Sequence, residues 1–336
     1  MLVAVTGGTG FIGSHTVVAL RDAGHDVRVL VRDPAKLKRV MEAHGLAIDD
    51  VVVGDVTEPA DVARLLEGCE AVVHTAALVA LDRARANEVE RTNKRSVELV
   101  VGGAAERGLS RIVYVSSAGA LFRAGGPPLT ADSPIGDSSS AYGASKAEGE
   151  RYARRLQEEG APILTTYPTA VVGPDDPGLT DPNRAMAFFA EWGAPLTTTG
   201  YQPVDVRDLA RLHVVLLEGN EPTGRYIAAG PYLPWPELFT KIERVTGRRI
   251  RKIPVPGSLM RAVGRAADVV KGVVPFDLPL TLEAMQFATC WPTADGSPAQ
   301  TELGVRYRDL EETLADTYRW LHDAGHLTRK QIGDLA

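Results

Sequence analysis

Between Leu2 and Leu20 the chain passes from an apolar, β-branched run into an amphipathic stretch through Gly7, Gly10 and Gly13. This passage restricts the fold more than any other part of the sequence. Glycine permits a tight turn and lets backbone N–H groups come close to a ligand. A strand before the turn and a helix after it put the positive helix N-terminus at the same place. Such a turn suits a pyrophosphate, and it belongs to folds in which strands and helices alternate.

The alternation continues. Apolar runs recur at Val27–Val31, Val51–Val53, Ala71–Thr75, Arg111–Ser116 and Ile163–Tyr167. Helix-compatible stretches lie between them: Ile12–Asp22, Pro59–Leu66, Asn87–Arg107 and Ala141–Glu159. Repeated βαβ units predict an α/β fold with a doubly wound parallel sheet, a Rossmann fold. From Pro174 proline and glycine become frequent, and Val204–Leu217 reads again as strand or loop followed by helix. The predicted organisation is a dinucleotide-binding domain over 1–173, with 204–228 returning to its sheet. Residues 174–203 and 229–336 then form a smaller, mostly α substrate lobe, closing with a helix over Leu310–His322.

Composition narrows the function classes. A formal net charge of -6 argues against a general nucleic-acid binder. The two cysteines, Cys69 and Cys290, give no disulfide framework and no cysteine-based metal cluster, and no metal site is expected. The first twenty residues are uncharged but lack a basic leader and are broken by glycines, so no secretory signal is expected. No other uncharged run reaches the ~18 residues of a membrane span. The expectation is a soluble, cytoplasmic protein.

Tyr142 and Lys146 lie four residues apart in AYGASKAEGERYARRL, so a helix there puts both on one face. An ammonium beside a phenol favours the phenolate, which predicts a Tyr142 pKa below its usual ~10. Ser117 ends the Arg111–Ser116 run, where open α/β sheets meet their ligands. Ser116 is its competitor.

Together, TGGTGFIG at 6–13, GDVT at 54–57, HTAA at 74–77, Asn93, YVSSAG at 114–119, YGASK at 142–146 and PTAVVGP at 168–174 resemble the extended short-chain dehydrogenase/reductase family, also called the NAD-dependent epimerase/dehydratase family. The resemblance continues through VDVRDLARLH at 204–213 and fades into ELGVRYRDLEETLADTYRWL. It implies that Ser117 orients a carbonyl or alcohol, Tyr142 transfers a proton, and Lys146 binds the nicotinamide ribose and activates Tyr142. Ser117 takes the serine role because it precedes Ala118. Asn93 resembles a residue that supports the active site and holds a water. Cofactor contacts are implied at Gly7, Thr9, Gly10, Phe11, Ile12 and Gly13, at Asp55 and Val56, at Thr75, Ala76 and Ala77, and at Pro168 and Val171, beside Tyr142 and Lys146.

In dinucleotide folds an acidic residue after the second strand binds the adenosine ribose. Here Arg32 follows Val31. A guanidinium suits a 2′-phosphate through paired, charge-assisted hydrogen bonds, with Lys36 adding charge, so NADP(H) is expected over NAD(H). Asp33 precedes Pro34 and reads as a helix cap.

Departures from the family pattern choose among its members. Ser117, Ala118 and Gly119 stand where sugar-nucleotide dehydratases carry Thr-Asp-Glu. Tyr167, Pro168 and Thr169 replace the asparagine segment of sugar-nucleotide epimerases. The motifs sit closest to dihydroflavonol reductases, cinnamoyl-CoA reductases and hydroxysteroid dehydrogenases. The leading expectation is a reductase or dehydrogenase of a small carbonyl/alcohol substrate, with a homodimer as its expected assembly. An epimerase of a sugar or sugar nucleotide is the alternative, and a nucleotide-sensing regulator on the same fold a second. Ser258–Val274 reads as an amphipathic helix packing on the core, with a membrane surface as the competing reading. Trp235 and Phe239 read as core, and His322 with His326 as surface residues of the final helix.

Overall fold

The computed structural model describes residues 1–79, 86–138, 141–271 and 281–335. In the first half the chain runs β1 (Leu2–Thr6), α1 (Phe11–Asp22), β2 (Asp26–Val31), α2 (Pro34–Ala43), β3 (Val51–Val53) and α3 (Pro59–Leu66). It continues through β4 (Ala71–His74), α4 (Ala86–Val97), a π turn (Glu98–Gly102), α5 (Gly103–Glu106), β5 (Arg111–Val115) and α6 (Ala141–Glu158). The expected single helix over Asn87–Arg107 is thus interrupted. A Cβ on Gly102 would stand 2.2 Å from the Tyr152 hydroxyl, so the wide turn accommodates α6 pressed against it.

Then come β6 (Ile163–Pro168), β7 (Ala170–Val172), α7 (Asp181–Trp192), β8 (Ala194–Leu196), β9 (Gly200–Tyr201) and β10 (Pro203–Asp205). After them lie α8 (Val206–Glu218), β11 (Gly224–Ala228), β12 (Leu233–Pro234), α9 (Trp235–Thr246) and β13 (Lys252–Pro254). The chain closes with α10 (Gly257–Lys271), α11 (Leu282–Cys290), α12 (Ser297–Thr301), α13 (Leu310–Asp323) and α14 (Arg329–Ile332).

Seven strands make one sheet in the order β11-β6-β5-β4-β1-β2-β3, every pair parallel. The chain departs in opposite directions from β1, so β1 and β4 flank the crevice where such sheets bind ligands. Parallel strands are covered on both faces. Val3, Val5, Val29 and Val113 pack on one side with α1 and α8, around Val17 and Leu209. Ala4, Val72 and Ile112 pack on the other with α3, the π turn and α6, around Leu65, Val100 and Ala153. β11 makes the return to the sheet, whereas β10 pairs with β7 in a separate two-stranded ladder.

The lobe has its own core, built on Trp235, Phe239, Leu314 and Tyr318. Trp235 stacks on Phe239 at 5.7 Å between ring centroids, and both are buried. α13 stops at Asp323, and Gly325 follows at φ +79°, so His326 lies beyond the helix rather than on it. α10 packs on α11 with its polarity partly inverted. Arg261 reaches Thr289, Asp268 accepts from the Leu282 amide, and Leu259, Val263, Val269 and Val270 are exposed. Residues 272–274 of the expected Ser258–Val274 helix lie outside the described residues. Among the described residues no helix is long and apolar enough to cross a membrane.

Candidate active site

The glycine turn sits at the carboxyl end of β1, and its three glycines do different things. Gly7 has φ +79°, and a Cβ there would stand 2.5 Å from Thr75 Oγ1 and 2.8 Å from the Ala76 amide. A Cβ on Gly13 would stand 2.1 Å from the Gly7 carbonyl. These two allow backbone to pack on backbone. Gly10 is exposed, and its nearest neighbour would be the Gly7 carbonyl at 3.3 Å, so its outer side is open to a ligand. No side chain caps α1 at Gly10, and no acidic residue lies in its first turn. Unclaimed N–H groups at a helix start attract phosphate. Thr9 and Ile12 are half-buried beside this opening. Phe11 is buried with its ring 5.5 Å from His15, which leaves its backbone rather than its side chain for a ligand.

The neighbouring strand ends complete the crevice. Arg32 is exposed and has no hydrogen bond or ion pair among the described residues. The Asp33 carboxylate accepts from the Lys36 amide at 3.0 Å and caps α2, so it is already occupied. Asp55 accepts from the amide and hydroxyl of Thr57, holding the turn after β3, while Glu58 is the cap residue of α3. Val56 is half-buried beside it. Thr75 donates from Oγ1 to the Thr6 carbonyl at 2.7 Å, locking the end of β4 to β1, with Ala76 and Ala77 following. Pro168 is buried at the end of β6 and Val171 in the middle of β7.

Ser117 leaves β5 and caps a short 3₁₀ turn, its Oγ accepting from the Gly119 amide at 3.0 Å. Its hydroxyl also lies near enough to the Tyr142 phenol to favour the phenolate. Ser116 is buried on the other side, against Tyr114. That geometry brings Ser117, not Ser116, to the tyrosine. Lys146 lies one turn along α6, buried, and donates from Nζ to the Val115 carbonyl at 3.0 Å.

The expected lowering of the tyrosine pKa is not what the geometry gives. Burial, then the Glu283 carboxylate, push Tyr142 up to about 12, with the neighbouring Ser117 hydroxyl opposing them. The Lys146 ammonium points at the Val115 carbonyl and stands 5.9 Å from the phenol ring centre, and it does not outweigh the burial. Burial lowers Lys146 itself to about 8.

Asn93 is a positioning residue. Its Oδ1 accepts from the Leu78 amide at 2.7 Å, and its Nδ2 donates to the Leu78 carbonyl at 3.0 Å and to Ser145 Oγ at 2.9 Å. Ser145 donates in turn to the Tyr142 carbonyl at 2.7 Å. The amide therefore fastens the chain after β4 to the helix that carries the tyrosine.

Further groups beside the site were missed by the sequence reading. Ser138 donates to Glu283 Oε1 at 3.1 Å, and a Cβ on Gly143 would stand 2.9 Å from the same oxygen. The Phe287 ring tip comes within 3.5 Å of a Cβ built on Gly119, next to Ser117. Phe122, Phe287 and Trp291 form one aromatic cluster, with centroids 4.9–5.7 Å apart. The only sequence signal for them is aromatic spacing i, i+4, which a core helix shows equally.

Residues 3–230 match the family described as "NAD dependent epimerase/dehydratase family". Cinnamoyl-CoA reductase 1 of Oryza sativa subsp. japonica is 29% identical, covering 74% of this chain and 76% of its own. UDP-glucose 4-epimerase of Neisseria meningitidis serogroup A is 27% identical, covering 95% and 96%. The crystal structure of gox2253 superposes with a TM-score of 0.79 at 26% identity, over 98% of this chain and 99% of that one. With its seven-stranded parallel sheet and its glycine turn, this chain belongs to the NAD-dependent epimerase/dehydratase family of extended short-chain dehydrogenase/reductase enzymes, which work with NAD(P).

Proposed function

We propose that this enzyme transfers a hydride between NADP(H) and a carbonyl/alcohol substrate, with Tyr142 moving the proton. The observation that carries the reading is the meeting of the Tyr142 phenol and the Ser117 hydroxyl at the carboxyl end of β5, above Lys146. The open glycine turn at Gly10 and Arg32, unpaired among the described residues, fit a dinucleotide with a 2′-phosphate. Once bound, the cofactor supplies or accepts the hydride.

The chain's own residues do the rest. Ser117 and Tyr142 hydrogen-bond the substrate oxygen and orient the carbon beside it. With a pKa of about 12 the phenol is fully protonated at neutral pH, ready to donate when that oxygen gains charge. Lys146 contributes positive charge beneath the pair and a donor for the ribose. Asn93 and Ser145 hold the tyrosine's helix in place. Phe122, Phe287 and Trp291 give an apolar wall beside the serine, which favours an aromatic or alicyclic substrate over a sugar.

The deciding experiment mixes the protein, NADPH and a panel of aromatic and alicyclic aldehydes and ketones, and follows NADPH absorbance. Net oxidation with at least one class is the expected outcome. The full-length similarity to UDP-glucose 4-epimerase supports a second reading, epimerisation by the same groups. In that case sugar nucleotides interconvert and NADPH shows no net change.

A further inference from the structure

On the far side of the glycine turn, three elements bring two imidazoles and a carboxylate together. His15 lies on α1, His44 follows α2, and Asp175 lies in the loop after β7. One nitrogen of each ring and one oxygen of the carboxylate all lie within 4.8 Å of one another. The two rings meet edge to face at 4.8 Å between centroids. A tetrahedral zinc ion with bonds of ~2.0–2.2 Å holds its ligand atoms ~3.5 Å apart, so closing this triangle takes a shift of ~1 Å.

The hydrogen bonding is that of a ligand set. His15 Nε2 lies 3.0 Å from the Pro174 carbonyl, and a carbonyl can only accept. The neutral ring therefore carries its lone pair on Nδ1. Metal-bound histidines make this outer bond to a backbone carbonyl or carboxylate, which fixes tautomer and orientation. The His44 ring and the Asp175 carboxylate make no hydrogen bond among the described residues. Both are half-buried, while His15 is buried, which leaves an approach from solvent. Asp175 also sits at φ +56°, a left-handed backbone that a non-glycine residue adopts only when its surroundings hold it there. The adjoining charges of Asp205 and Arg207 are paired to each other at 2.7 Å, and their effects on His15 oppose one another.

We propose that His15, His44 and Asp175 form a site for a borderline transition-metal ion such as Zn²⁺, with water completing its coordination. The ion ties α1, the end of α2 and the loop after β7 to one another. Composition pointed to no metal, because residues this far apart in sequence make no motif.

The test uses untagged full-length protein carrying His322→Gln and His326→Gln, which removes the two surface histidines of the C-terminal segment. Zn²⁺ titration by calorimetry, Co²⁺ absorption spectra and thermal melts with and without Zn²⁺ are compared. One equivalent of Zn²⁺ should bind at micromolar concentration and raise the melting temperature, and Co²⁺ should give visible bands. Changes outside the ligand shell cost metal sites ~10–100-fold, so His44→Ala and Asp175→Asn should each lose at least as much. Asparagine tolerates the left-handed backbone, so Asp175→Asn should keep the parent's circular dichroism spectrum. No binding by the parent at micromolar metal overturns the proposal, as does parent-like affinity in both folded variants.

Discussion

The sheet side of the catalytic centre and its lobe side are assembled in different ways. On the sheet side every group stands at a strand end or in the first turns of the helix beside it: Gly7 after β1, Thr75 after β4, Ser117 after β5, Tyr142 in α6. Parallel β-strands fix those positions to one another through their register. Thr6 pairs with His74, and His74 with Tyr114. On the lobe side Glu283 and Phe287 come from one helix, α11, held by contacts to α10 and to the turn after β5. The sheet side therefore presents a fixed set of chemical groups, while the lobe side presents a surface that can change without disturbing them. Reaction type should belong to the first and substrate choice to the second.

The largest expected effect strikes the sheet side. Tyr142→Phe removes one oxygen and little volume, so fold and NADPH binding should be retained. Turnover should fall ~10²–10⁴-fold, the usual worth of general acid catalysis. Single-turnover kinetics with NADPH prebound gives the measurement, and a loss of only a few-fold would remove Tyr142 from the chemistry.

Next comes Arg32, also on the sheet side but away from the reacting atoms. Arg32→Ala should weaken NADPH binding ~10–100-fold and leave NADH nearly unchanged, as expected for a charge-assisted pair worth ~1.5–3 kcal/mol. Its exposure and lack of partners mean that little stability is at stake. Calorimetric titration with both cofactors decides it, and equal losses would sink the assignment.

How much of this was legible in the sequence follows the same divide. Gly7, Gly10 and Gly13 were readable because each answers a local demand of one turn. The Asp33 cap was readable because Asp-Pro opens helices, and the structure places its carboxylate on the Lys36 amide. The Tyr142–Lys146 spacing was readable as one helix face, but not the consequence drawn from it. Whether the ammonium faces the phenol depends on how α6 sits against β5, and Lys146 bonds the Val115 carbonyl instead. The π turn at Glu98–Gly102 was hidden because its cause, Tyr152, lies on another helix. Glu283, Phe287 and Trp291 were hidden for a similar reason: only the packing of α11 separates a pocket aromatic from a core one.

A smaller effect is expected from the lobe. Glu283→Gln keeps the shape of the side chain but removes the charge that helps to raise the Tyr142 pKa. The phenol should titrate lower than in the parent, by ultraviolet difference titration of the cofactor-free protein. Turnover should change by less than about tenfold, since a charge in such partly solvated surroundings is worth ~1 kcal/mol. A loss as large as that of Tyr142→Phe would break the division between the two sides, because a lobe residue would then share in the chemistry.

The smallest effect, and the sharpest on mechanism, is in pH. Lys146 ionises at about 8 in the folded protein, below the ordinary lysine value of 10.5, because it is buried. Below about pH 8 the ammonium is present and the pair is complete. Above it the charge is lost, so kcat/KM for carbonyl reduction should fall, by about twofold at pH 8 itself and progressively beyond. Tyr142, at about 12, adds no limb in this range. Stability should move the other way. Between about pH 8 and 10.5 the unfolded chain holds the lysine proton and the folded chain does not, so folding stability of the cofactor-free protein should rise with pH across that window. Lys146→Met should flatten that rise while lowering turnover at every pH. Melting temperatures of parent and variant at matched ionic strength separate the two behaviours. A parent whose kcat/KM stays level to pH 10 would mean that the lysine charge is not needed, and that Ser117 and Tyr142 act without it.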